Sequence, residues 1–81
     1  MRVTVSSGPG PPPREAAVEV EVPSDGRNHE VRIVVSDVRG EVTAYVNTHR
    51  PGEKVAKTVV YYGRATVRVY LDQQLLREKT F

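Results

Sequence analysis

Two imidazoles, His29 and His49, are the groups in this chain best suited to acid–base or metal chemistry, and their spacing assembles no site. Each stands beside a turn, with no His-x-x-x-His or short-spaced carboxylate–histidine grouping between them. A catalytic zinc centre needs three protein ligands and groups behind them to orient the rings. The expectation is a pair of exposed turn histidines and no metal. Hydrolysis by paired carboxylates would need Asp or Glu converging in a cleft, but Glu19, Glu21, Glu30 and Glu41 are spread along solvent faces, where they favour solubility and protect strand edges. Ser6, Ser7, Ser24 and Ser36 have neither a strained nucleophile elbow nor a neighbouring base. The proline in Gly8-Pro9-Gly10 withholds the amides that a phosphate loop uses. The absence of cysteine removes thiolate ligands, thiol nucleophiles and disulfides together. No catalytic residue, metal or cofactor is expected.

What remains is recognition. Arg64, Thr66, Arg68 and Tyr70 alternate along one face of a strand, and planar guanidinium and phenol groups suit sugars and carboxylates. They are the candidate ligand-binding residues, with an anionic fragment as the ligand. The competing reading is an ordinary half-exposed strand, whose Arg and Tyr stems cover apolar surface.

The elements that position these groups are strands. Valine fills 16 of the 81 positions, against three leucines and one isoleucine. β-Branched side chains lose rotamer freedom in helices and pack well on a pleated sheet. One small domain with a thin core is expected, filled by Val, Ala, Leu and at least two of Tyr45, Tyr61, Tyr62 and Tyr70, because there is no Trp and one Phe. The 12 basic and 10 acidic residues leave a charge of +2 and are interspersed, so no basic cluster points to nucleic acid. No apolar run approaches the roughly 20 residues that span a bilayer.

Val3 to Ser6 alternates as a strand and stops in Ser7-Gly8-Pro9-Gly10-Pro11-Pro12-Pro13, which reads as a stiff linker. Beyond it come six strand candidates: Ala16 to Val22, His29 to Ser36, Glu41 to Thr48, Lys54 to Tyr62, Arg64 to Leu71 and Gln74 to Thr80. Turn signals recur about every ten residues, the spacing of an all-β sandwich. Asp37-Val38-Arg39-Gly40 closes a hairpin. In Val55 to Tyr62 both faces carry apolar and polar residues, so the pattern leaves its inward face open. The expected fold is a small antiparallel immunoglobulin-like β-sandwich of about six strands.

Arg2-Val3-Thr4-Val5-Ser6-Ser7-Gly8-Pro9 resembles the closing strand of a PASTA repeat. Val31-Arg32-Ile33-Val34-Val35, Asn47-Thr48-His49-Arg50-Pro51-Gly52-Glu53-Lys54-Val55 and Tyr62-Gly63-Arg64-Ala65-Thr66-Val67-Arg68-Val69-Tyr70-Leu71-Asp72 resemble the small terminal β-domain that follows such repeats. Both belong to bacterial transmembrane serine/threonine protein kinases with extracellular PASTA repeats. Gln73 stands where that family often has Gly, which calls a tight two-residue turn into question. The resemblance implies that residues 1–8 end a PASTA-like repeat, 9–14 form a proline-rich linker and 15–81 form an Ig-like domain. That domain would be the non-catalytic C-terminal module, on the extracellular face, of a membrane-anchored kinase. It would serve as spacer, cap or interaction domain in cell-wall sensing, or bind peptidoglycan fragments or a cell-wall protein directly. The chain itself carries no kinase motif and no membrane-contacting segment.

Overall fold

Alternation of valine with polar residues produces seven strands in a computed structural model that describes residues 2–8 and 14–81. They are β1 (Arg2–Ser7), β2 (Arg14–Glu21), β3 (His29–Asp37), β4 (Gly40–His49), β5 (Lys54–Tyr61), β6 (Thr66–Leu71) and β7 (Gln74–Thr80). All pairings are antiparallel, in a three-stranded sheet of order β1-β2-β5 and a four-stranded sheet of order β4-β3-β6-β7. The all-β sandwich is therefore as expected and compatible with an immunoglobulin-like arrangement. In the constant-type immunoglobulin order the fourth strand joins the first, second and fifth, whereas here β4 lies on the opposite sheet.

The core is the space between the sheets. Val18, Val20, Val55, Val59 and Tyr61 enter it from one side, and Val31, Ile33, Val35, Val67 and Val69 from the other. Burying a valine stabilises by about 1.5–3 kcal/mol relative to leaving it exposed, so a core of many valines replaces the missing large aromatics. Tyr61 is fully buried, its ring stacked on Phe81 at 5.4 Å and its hydroxyl bonded to Ser7 Oγ. Tyr45 packs against the core's edge, while Tyr62 and Tyr70 are half-buried.

Residues 2–7, which the resemblance assigns to the end of a preceding repeat, form β1 of the three-stranded sheet. β1 pairs with β2 along its whole length, and Val5 is part of the core. The physical reason is that Val3 and Val5 have an apolar face to bury, and β2 offers an open edge. The expected linker falls largely outside the described residues, and its last residue, Arg14, is the first of β2.

β5 turns its odd-numbered face inward, which decides the register that the pattern left open. Lys57 shares that inward face but remains exposed, because β5 is an edge strand and the side chain reaches past the core to place Nζ 4.8 Å from the centre of the Tyr45 ring. The tight turn at Asp72-Gln73 forms despite Gln73. Both residues have positive φ, 50° and 69°, and Leu71 pairs with Gln74 across them. That places a side-chain-bearing residue where glycine is favoured, at a strain of order 1 kcal/mol.

Candidate functional site

The most concentrated polar chemistry lies at the end of the sandwich where β3 begins. Asp25 sits in the loop between β2 and β3, where Gly26 at φ 80° lets the chain reverse and Asp25 Oδ1 accepts from the Arg27 amide. His29 opens β3 and is only 5% exposed. Its Nδ1 lies 2.5 Å from Asp72 Oδ2, and its Nε2 lies 2.9 and 3.0 Å from the two Asp25 oxygens. Asp72 also accepts from the Glu30 amide at 2.9 Å and donates its own amide to the Glu30 carbonyl at 2.9 Å.

Ionised carboxylates only accept, so both ring nitrogens donate and His29 is an imidazolium held between two anions. The bond to Asp72, then that to Asp25, raises its pKa above the ordinary histidine value against the opposing effect of burial. The same bonds to His29, helped by the Glu30 and Arg27 amides, lower Asp72 and Asp25. A ring with both nitrogens donating has no lone pair to act as a base or to ligate a metal. The arrangement is a clamp joining the β2–β3 loop, the start of β3 and the β6–β7 turn. The expectation of exposed histidines is thus corrected: a charged imidazole avoids the penalty of burial here because two carboxylates accompany it.

His49, the cross-strand partner of His29, is half-buried. Its Nδ1 is 2.9 Å from Glu53 Oε2 and its Nε2 is 2.6 Å from the Tyr45 hydroxyl. Glu53, lowered in pKa first by His49 and then by the Arg50 amide, also closes the β4–β5 turn by accepting from that amide. Among the described residues, no group of three or more His, Cys, Asp or Glu converges to hold a metal ion.

At the other end of β3, Asp37 has a side chain only 2% exposed. It accepts from the Arg39 amide and guanidinium and from the Tyr62 amide, which ties the β3–β4 turn to the exit of β5. The Arg39 side chain, first among its causes, lowers the Asp37 pKa. The Arg39 guanidinium lies 4.1 Å above the Tyr62 ring.

The four candidate ligand-binding residues do not form one cluster. Thr66, Arg68 and Tyr70 share the outer face of the four-stranded sheet, but Arg64 lies in the β5–β6 loop, off the strand. Arg68 is held by Glu78 at 2.7 Å and Glu41 at 3.3 Å, and Thr66 bonds to Thr80 across the sheet. Arg32, opposite Tyr70, is less committed: its NH2 lies 3.6 Å from Glu30 Oε1, and its buried Nε has no hydrogen-bond partner. Arg32, Tyr70, Gln73, Val34, Thr43 and Glu41 line a shallow open groove of about 480 Å³. The centre of this face carries Arg32 and Arg68 against Glu30, Glu41 and Glu78, two positive charges against three negative, so it presents no field that gathers anions.

No family model, curated protein or solved structure matches the chain. No helix among the described residues is long and apolar enough to cross a membrane. Of the His29 clamp, the half contributed by Asp25 stood four residues upstream in a Pro-Ser-Asp-Gly turn and was open to reading. Asp72 is 43 residues away, and nothing local to either residue connects them.

Proposed function

We propose that this chain is a non-catalytic β-sandwich module of the extracellular C-terminal end of a PASTA-type membrane serine/threonine kinase, acting as spacer, cap or interaction domain in cell-wall sensing. The observation that carries the non-catalytic reading is that the chemically capable side chains bind one another: His29 both carboxylates, His49 Tyr45 and Glu53, and Arg68 Glu41 and Glu78. Such contacts position loops and leave none of these groups poised toward a substrate. The kinase assignment is supported by the resemblance of segments 31–35, 47–55 and 62–72. Segment 2–7, which also resembles a PASTA closing strand, is the sandwich's own first strand and adds less.

The test is domain exchange in the parent kinase. Replacing the module with an unrelated sandwich of similar span is expected to preserve the response to wall fragments, whereas deletion impairs it. A replacement as defective as the deletion would overturn the spacer reading. A second reading, direct binding of a peptidoglycan fragment or protein, is favoured by the groove at Arg32 and Tyr70 with its unpartnered guanidinium nitrogen.

A further inference from the structure

A sandwich of two open sheets has four edge strands, here β1, β5, β4 and β7, each a template for another strand. Three of them carry basic residues that discourage pairing: Arg2 on β1, Lys54 and Lys57 on β5, Arg77 and Lys79 on β7. β4 has no Lys, Arg or Pro, although it is the longest strand at 10 residues. Its stretch from Val42 to Thr48 is uncharged and free of Gly and Pro, the composition that favours strand addition. Val42 and Val46 are 52% and 50% exposed. They lie on opposite faces of the strand, since Val42 pairs with inward Val35 and Val46 with outward Arg32.

Charge selects the occupant. The uncharged stretch is bracketed by Glu41 at one end and, just past His49, by Arg50 at the other. A second copy laid antiparallel brings Glu41 of each strand toward Arg50 of its partner, twice in one interface, while a parallel strand would oppose Glu41 to itself. We propose that β4 is the pairing edge of a two-fold dimer of this chain, joining the two four-stranded sheets into one continuous sheet.

Pairing along one edge buries less than the ~1,200 Å² of a stable interface, so the dimer belongs to the weak, reversible class. Sedimentation equilibrium of the protein across a concentration series reads it directly, with circular dichroism as a folding control. Reversible dimerisation is expected. Val46→Lys, or Thr43→Lys if the first variant does not fold, should weaken it about tenfold or more, a change of one decade in dissociation constant. Glu41→Arg should also weaken it, and adding Arg50→Glu should restore it. A monomer up to about 1 mM, or association indifferent to the edge lysine and to the charge exchange, overturns the proposal.

Discussion

His29 and Asp72 are 43 residues apart in the chain, and their side chains meet at 2.5 Å, Nδ1 to Oδ2. Through that contact the β6–β7 turn is tied to the first residue of β3, and Asp25 closes the clamp from the other side of the ring.

The clamp makes stability depend on pH at two limits. Because the pKa of His29 is raised on folding, its contribution is complete below the unfolded value of about 6.5 and is lost as pH rises through the higher folded value. Asp25 and Asp72 are lowered, so theirs is complete above about pH 3.9 and is lost as pH falls through the depressed folded values. The thermal midpoint of the native protein should exceed that of His29→Gln most between about pH 4 and 6.5, with the difference shrinking at both extremes. A difference constant from pH 3 to pH 9 would show that the ion pairs do not contribute.

Tyr61 is the largest fully buried side chain, closing the core beneath Phe81 and reaching Ser7 of β1. Tyr61→Ala should cost about 3–5 kcal/mol, the range for deleting a large core aromatic. Tyr61→Phe keeps the ring and loses one hydrogen bond, so about 1 kcal/mol is expected. Urea unfolding of both variants checks the ratio, and equal losses would mean that the ring does not pack as described.

Gln73 at φ 69° invites a stabilising change. Gln73→Gly removes the left-handed penalty while adding freedom to the unfolded chain, for a net gain of about 0.5–1 kcal/mol. A lowered thermal midpoint would show that the Gln73 side chain makes a compensating contact.

Recognition at the outer face should depend on Arg32 and Tyr70 more than on Arg68, whose guanidinium is already held by Glu78 and Glu41. On the direct-binding reading, a titration with a muropeptide followed by nuclear magnetic resonance gives saturable shifts around Arg32, Tyr70 and Gln73 that disappear in Arg32→Ala, whereas the spacer reading gives none. Shifts centred on Arg64, or none at all, would remove the direct-binding reading.

Strand identity was legible because it is a local property. Val18, Val20 and Val22 alternate with Glu19 and Glu21, and that period of two declares both the strand and its wet face before any partner is known. The hairpin at Asp37-Val38-Arg39-Gly40 was equally local. The strand at Lys54 to Tyr62 was legible too, but its inward face was not, since Lys57 shares a face with Val55 and Val59. A lysine on the inward face is tolerated only at a sheet edge, and edge position belongs to the sheet order.

By itself, then, the sequence determined that the chain is all-β, where most strands lie and which valines can face inward, because alternation and turn chemistry act over a few residues. Only the tertiary structure decided that β1 belongs to the same sandwich, that His29 is a buried cation between Asp25 and Asp72, that Arg68 is occupied, and that the strand without Lys or Arg, β4, is a sheet edge. Each of those depends on which distant segments become neighbours, and pairing between strands is set by burial of the whole core, a non-local term that no window of residues contains.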